Sequence, residues 1–456
     1  MVPVTSHPDN QTQINDSRQR THETSLMSHD PHACHGPEHS WSRRRVLGAL
    51  GGGAASAAIG ISNLLQPACA APMRRKNKQV LFIWLDGGMS QLESWDPKPN
   101  TAFGGPFRAI PTAINGVHFS ELVPETARRA DKLALIRCMS TQDENHSSGV
   151  PRIQRGDPKN RGVTYPFLGS ALAKLKPPEN DLPPYVWIKP GSGGFIWQDA
   201  GFLGAKFGSL ALGDGKPPIH INRPDSITDA LEQARQDLRR KQNQRFRKTR
   251  RSSEVDAYDT SYEMALQLMK RHDLFDDSLL SPRDVERYGT HPLGRHLLQA
   301  RRLLEAGVQF VKVNSYHWDT HGDNFNMHLD LVPQIDKPFA AMIDDLDDRG
   351  LLDNVLVVLM SEFGRTPKIN SRLGRDHWPE AWSVMLAGSG LQRGMVLGGT
   401  TDNGAWCKDE AFDIGHLFHT VFRCVGIDPE KTEYDNDGQP LPIAHDDCGP
   451  IQQIMI

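Results

Sequence analysis

The sequence predicts an α/β protein built on a mainly parallel sheet sandwiched by helices. Three observations carry that expectation. Short β-branched and aromatic runs alternate with longer amphipathic ones, several of the short runs are almost continuously apolar, and no internal repeat or linker interrupts the alternation. Runs that are apolar at every position suit strands buried on both faces, and their alternation with helices is the pattern of parallel crossovers. With 38% hydrophobic and 23% charged residues, the 456-residue chain has a globular composition, which excludes a disordered or fibrous protein. Its 52 basic and 55 acidic residues leave a net charge of −3, so charge gives no reason to expect nucleic acid as a partner.

Residues 1–41 are polar and without apolar periodicity, and read as a disordered extension. In residues 42–70, Arg43, Arg44 and Arg45 open a charge-free apolar stretch diluted by Gly and Ala, which closes on Ala68-Cys69-Ala70. This resembles a twin-arginine export signal with an A-x-A cleavage site. A single membrane anchor is the competing reading, and the Gly, Ser and Asn content of the stretch weighs against it. A lipoprotein signal ending at Cys69 would place Gln66-Pro67 where small or aliphatic residues belong. Cleavage after Ala70 leaves one domain, residues 71–456, expected in the periplasm or secreted and touching the membrane only through the signal during export. Its cysteines are Cys138, Cys407, Cys424 and Cys448, enough for two disulfides in an oxidising compartment, with no C-x-x-C pair.

Within that domain, strands are expected at residues 79–86, 133–140, 185–189, 308–314, 354–363 and 382–387. Helical patterns fall at 121–132, 167–176, 226–250, 258–272, 293–306, 328–349 and 413–425. The third helix ends in a basic burst from Arg239 to Arg251 that lacks aromatic partners, so a solvated face is preferred to an anionic-polymer contact.

Ligands of open α/β sheets bind beyond the carboxyl ends of the strands, which directs attention to the residues released there. The first strand delivers Asp86 into Gly87-Gly88, a carboxylate followed by a turn, which suits a metal ligand. The second releases Ser140-Thr141 and then runs on to His146, a further candidate catalytic residue. A hydroxyl at a strand-to-helix junction is a candidate nucleophile, because helix amides favour an anion there, although plain N-capping is the commoner use. After the 308–314 strand come Asp319 and His321 close to Gly322, residue types that zinc or manganese prefer. The 354–363 strand releases Glu362 and Arg365, and the next loop carries Arg375, Asp376 and His377. Glu362, Asp376 and His377 are candidate ligands, and the two arginines are candidate bidentate contacts to a phosphate or sulfate.

The runs Phe82-Ile83-Trp84-Leu85-Asp86-Gly87-Gly88-Met89-Ser90-Gln91, Trp95-Asp96-Pro97-Lys98-Pro99, Trp318-Asp319-Thr320-His321, Ser361-Glu362-Phe363-Gly364-Arg365-Thr366-Pro367 and Gly374-Arg375-Asp376-His377-Trp378-Pro379 resemble the DUF1501 family over essentially the whole mature chain. That family comprises exported, sulfatase-like proteins related to the alkaline phosphatase superfamily. The resemblance implies an alkaline phosphatase/sulfatase-like fold. It implies Asp86 as the first-strand metal carboxylate, Ser140 or Thr141 near the nucleophile position, Asp319 and His321 as a middle metal pair, and His377 as the late metal histidine. Two departures stand out. Glu362-Phe363-Gly364 replaces the usual Asp-His-Gly, so one metal loses a histidine, and the sequence around Cys138 lacks the Cys-x-Pro-x-Arg pattern of formylglycine sulfatases.

The expected function is an exported metal-dependent hydrolase of phosphate or sulfate esters. Its divalent ion is zinc in the first place, with manganese or calcium as alternatives, and its substrate is an anionic ester such as a sulfated or phosphorylated polysaccharide. The nucleophile would be Ser140, Thr141 or a metal-bound water. The competing expectation is a non-catalytic exported binding or structural protein that retains the fold.

Overall fold

The computed structural model describes residues 78–156, 161–191, 199–215, 221–249 and 253–456. The expected extension and export signal, residues 1–70, lie outside the described residues, as do Arg250 and Arg251 of the basic burst. Eight strands form one sheet: β1 (Gln79–Leu85), β2 (Leu133–Met139), β3 (Tyr185–Ile188), β4 (Leu210–Leu212), β5 (Phe310–Ser315), β6 (Val355–Met360), β7 (Trp382–Gly388) and β8 (Met395–Leu397). Their order is β8-β2-β7-β6-β1-β5-β3-β4. Neighbours are parallel except at β7, which runs antiparallel to both β2 and β6. Consequently β1, β2, β5 and β6 all end at one edge, and β7 begins there.

Seven helices of eight residues or more occur among the described residues: α1 (His146–Arg155), α2 (Leu168–Leu175), α3 (Asp229–Thr249), α4 (Ser253–Lys270), α5 (Pro292–Glu305), α6 (Asn324–Asp348) and α7 (Ile414–Cys424). The pleat of β1 shows why the sheet needs helices on both sides. Leu81, Ile83 and Leu85 join one core with Leu297 and Leu303 of α5 and Phe339 and Ile343 of α6. Val80, Phe82 and Trp84 join the other with Ile153 of α1, Leu172 of α2 and Phe422 of α7. Successive strand side chains point to opposite faces, so an unbroken apolar run can be satisfied only by two cores. Each such side chain fully buried contributes about 1.5–3 kcal/mol.

All six expected strands are present. The expected helix at 121–132 is instead a single turn, Pro124–Ala127, and a 3-10 turn, Ala130–Lys132. Proline lacks an amide hydrogen and suits only the first turn of a helix, so Pro124 delays the start, and Arg129 at φ −112° leaves helical geometry. Helix α1 was not expected because Gly149 and Pro151 lie inside it. It forms because Asn145 caps it, accepting from the Ser147 amide at 2.9 Å, and because Val150, Pro151 and Ile153 are buried. The basic burst of α3 turns to its neighbour: Arg239 pairs with Asp259 at 2.6 Å and Arg247 with Asp256 at 3.0 Å, both acids on α4.

One charge sits where only apolar groups were expected. Lys312, in the middle of β5 and 2% exposed, points into the second core. Its Nζ lies 4.0 Å from the centre of the Trp187 ring and donates to Gln154 Oε1 at 3.0 Å. Burial pulls its ammonium down to about 7. Between pH 7 and the usual lysine range near 10.5, the unfolded chain therefore binds the proton that the folded chain has released, and stability rises with pH. The denaturation free energy of the wild type should accordingly increase from pH 7 to pH 10 by up to about 3 kcal/mol relative to Lys312→Met. Parallel urea titrations of the two proteins at both pH values would measure it. Equal slopes would mean that the aromatic ring keeps Lys312 charged throughout.

Candidate metal centre at the sheet edge

Each functional side chain is delivered by a strand that ends at the shared edge. Asp86 follows β1, Asp319 and His321 follow β5, and Glu362 follows β6. His146 is the first residue of α1, beyond β2. His377 belongs to a two-residue strand paired with Gly364–Arg365, which folds the loop after β6 back over the edge. The turn after β1 must pass very close to β5: Gly87 adopts φ 120°, and a Cβ there would lie 2.5 Å from the Asp319 amide nitrogen. Only glycine fits.

Asp319 is the hub. Its Oδ1 lies 3.1 Å from His321 Nε2, 3.1 Å from His377 Nε2 and 2.7 Å from the Arg365 guanidinium, and its Oδ2 lies 3.4 Å from His146 Nε2. His146 Nδ1 is 2.7 Å from Glu362 Oε1, which also accepts from the Gly87 amide at 2.9 Å. Glu362 is fully buried, and its Oε2 has no hydrogen-bond partner. His321 Nδ1 meets Asp376 Oδ1 at 2.7 Å, and His377 Nδ1 meets the Glu144 carbonyl at 2.6 Å. With Nδ1–H donating to those oxygens, each ring turns an Nε2 lone pair inward, and the two Nε2 atoms approach to 2.9 Å beside the Asp319 carboxylate. The side of Asp319 is open, with 45% of its side chain exposed, whereas His377 is 17% exposed.

The electrostatics show the same concentration of lone pairs. Burial works to raise the Asp319 carboxyl, but hydrogen bonds from His146 and Arg365, with the Arg365 charge, hold it well below the usual carboxylate range. Burial, and then the charge of Glu362, push Asp86 up to about 6. Burial lowers the His146 imidazole, yet its hydrogen bonds to Asp319 and Glu362 prevail and raise it to about 9. A proton on His146 thus partly neutralises three neighbouring carboxylates, Asp86, Asp319 and Glu362. Converging imidazole nitrogens, carboxylates and an unsatisfied buried carboxylate oxygen fit a divalent cation. His146, Asp319 and His377 bring their ligand atoms within 4.8 Å of one another.

The remaining expected site residues fall elsewhere. Asp376 lies one step out, orienting His321, and is itself held by Asn370 Nδ2 at 2.9 Å. Both arginines, read from sequence as contacts to a bound anion, are 0% exposed. Arg365 donates to the carbonyls of Gly87, Gly88, Trp318 and Arg375 and to Asp319, clamping the loops that carry the site. Arg375 faces away, donating to Glu93 and to the carbonyls of Thr366, Pro367 and Phe103. Ser140 and Thr141 do not reach the amides of α1, which Asn145 caps; their own amides donate to the Phe412 and Pro379 carbonyls. The Thr141 hydroxyl is fully buried without a partner. Glu93 and Asn370, both of which support the site from behind, were missed from sequence. A glutamate between Leu92 and Ser94 and an asparagine in a Gly-containing loop were the available signals.

Sheet order and edge cluster together define a mixed, mostly parallel α/β protein with a candidate metal centre at the carboxyl ends of its strands. The chain belongs to the family described as "Protein of unknown function (DUF1501)", whose model matches residues 77–455. No curated protein matches it. Among solved structures it is similar to a sulfatase from a Pseudoalteromonas species, at 13% identity and a TM-score of 0.36 over 78% of this chain and 69% of the other. It is also similar to the phosphonate monoester hydrolase of Agrobacterium radiobacter, at 10% identity and 0.36 over 82% and 76%. A third similarity is to the C-terminal periplasmic domain of EcEptC from Escherichia coli in complex with Zn, at 9% identity and 0.36 over 81% and 94%. No helix among the described residues is long and apolar enough to cross a membrane.

Proposed function

We propose that the chain is a divalent-metal-dependent hydrolase of phosphate or sulfate esters. The observation that carries this reading is the meeting of His321 Nε2 and His377 Nε2 at 2.9 Å on one oxygen of Asp319, beside the unpartnered Oε2 of buried Glu362. Asp319, His146 and His377 would hold the cation, with His321, Glu362 and Asp86 around them, and zinc is the first choice for such a nitrogen and oxygen set, ahead of manganese and calcium. When bound, the ion supplies a Lewis acid that polarises an ester oxygen and offsets its developing charge.

The chain's own groups do the rest. Asp376 and the Glu144 carbonyl fix the ring orientations of His321 and His377. Arg365 fixes Asp319 against the turn after β1. Glu362, at the Nδ1 of His146, orients that ring so that its Nε2 faces Asp319 and the cation. Of the two hydroxyls, Ser140 is the proposed nucleophile because it is partly exposed at the edge whereas Thr141 is sealed in. The substrate is an anionic ester, of which a sulfated or phosphorylated polysaccharide is one form. The same reading has the chain exported by the twin-arginine route from Arg43 and Arg44, reaching the periplasm or the medium with its new N-terminus near Ala71.

Elemental analysis and turnover of p-nitrophenyl phosphate and p-nitrophenyl sulfate by purified protein test it. Near-stoichiometric metal and turnover of one ester are expected, and Ser140→Ala should cut kcat by orders of magnitude with metal content unchanged. Thr141→Val should leave kcat intact and add up to about 1 kcal/mol of stability, since it removes a buried hydroxyl that has no partner. A protein free of metal and inert toward both esters would sink the proposal. Activity untouched by Ser140→Ala would assign the attack to water.

A further inference from the structure

We infer that Cys138 and Cys407 are the two halves of a redox-forming disulfide that staples the rim of the site to β2. Cys138 is the penultimate residue of β2 and is fully buried; Cys407 is partly exposed. The two thiols are near enough to shift each other's protonation, Cys407 lowering Cys138 and Cys138 raising Cys407. The Gly399 carbonyl accepts both from Cys138 Sγ, at 2.9 Å, and from the Lys408 amide, at 2.9 Å, which sets residue 408 beside the β2 sulfur. Thr400 and Cys407 form a β-bridge, and the Cys407 thiol donates to the Glu380 carbonyl at 3.6 Å. Backbone on both sides therefore holds the sulfurs together. The neighbouring Cys407, reinforced by the Asp409 amide, draws the Cys138 thiol down to about 7, so a thiolate is available near neutrality.

The segment that would be stapled matters to the site. Trp406, 52% exposed, meets Trp378 edge to face with ring centres 5.3 Å apart, and the Trp378 indole donates to the Ala405 carbonyl at 2.7 Å. Trp378 follows His377 directly. A covalent link at Cys407 thus anchors the aromatic rim that backs a proposed metal ligand.

The chemistry needs a disulfide-bearing oxidant, either a thiol–disulfide oxidoreductase or oxidised glutathione. The partly exposed Cys407 sulfur, losing its proton as it attacks, displaces one thiol from the oxidant's disulfide and becomes a mixed disulfide. The Cys138 thiolate then attacks Cys407 Sγ and releases the second thiol. Two cysteine S–H bonds are lost and one S–S bond is formed, while the two electrons and two protons leave in the two thiols of the reduced oxidant.

Peptide mapping of the wild-type protein under non-reducing conditions, after exposure to oxidised glutathione and alkylation of free thiols, tests the pairing. The expected product is a Cys138 peptide joined to a Cys407 peptide, with the intact mass about 2 Da below that of the reduced chain. Full alkylation of both cysteines, or recovery of Cys407 joined to Cys424 or Cys448, would overturn it. As a second arm, dithiothreitol should lower the melting temperature of the oxidised wild type by about 5 °C and leave Cys407→Ser unmoved. An equal drop in Cys407→Ser would also overturn it, and if that variant fails to fold, the wild-type map decides alone.

Discussion

Asp319→Ala should abolish metal retention and lower ester turnover by about a thousandfold while the protein stays folded. Four groups meet on this one carboxylate: His146, His321, His377 and Arg365. Without it the Nε2 atoms of His321 and His377 have no shared anion to converge on, and a cation loses its central ligand. Arg365 loses its paired carboxylate but keeps the carbonyls of Gly87, Gly88, Trp318 and Arg375 and the nearby charges of Glu362 and Asp376, so stability should fall without loss of the fold. Removing a group that only orients a ligand is milder, so Asp376→Asn should cost about 10- to 100-fold in metal affinity. Loss of one anionic partner should also return His146 from about 9 toward its ordinary range, observable by NMR titration of its ring protons. Wild-type metal content and turnover in Asp319→Ala would remove the proposed centre from consideration.

Glu93→Gln should destabilise the protein by about 3–5 kcal/mol. Glu93 and Arg375 are both 0% exposed, and their side chains meet at 2.7 Å and 3.0 Å. Burial alone would raise the Glu93 carboxyl, and the charge of Arg375 more than reverses that, holding it below its usual value of 4.5. A glutamine would leave a full guanidinium charge in the interior with only carbonyls to face, and an uncompensated buried charge is among the most costly single changes a fold can suffer. A group with a depressed folded-state pKa contributes stability above its unfolded pKa and loses it in acid. The gap between wild type and variant should therefore be full at pH 7 and close as pH falls below 4.5. Urea denaturation at pH 7 and over a series of pH values below 4.5 measures it; a loss under about 1 kcal/mol at pH 7 would mean that water reaches the pair.

What could be read from the sequence follows from what the strands do. Asp86, Asp319 and Glu362 each stand just beyond an apolar run, and parallel strands bring such positions to one edge, so their convergence was legible before any coordinates. His146 was legible as a candidate catalytic histidine but not as a metal ligand. Gly149 and Pro151 disguise α1, and with the helix start hidden, its amide end was assigned to Ser140 and Thr141 rather than to Asn145 and His146. The two arginines failed for a different reason. Residue type tells that a guanidinium can bind an oxyanion, but not whether the anion is a substrate or the carboxylate of Glu93, 282 positions away. Strand direction is equally silent in composition, which is why β7 gave no sign of running against its neighbours. Lys312 carried the opposite kind of signal: a lysine between two valines in a run buried on both faces marks an exception that composition alone flags.

The clamp made by Arg365 has a kinetic consequence. Its guanidinium joins the turn after β1, 278 positions earlier, to the loop after β5, 46 positions earlier, and to Arg375 just ahead of it. Contacts of such separation cannot form until the later partner has been made, and closing loops of that size is the slow part of folding for topologies of this kind. The cluster therefore comes into being in the last stages of assembly, as one event rather than as a prebuilt fragment.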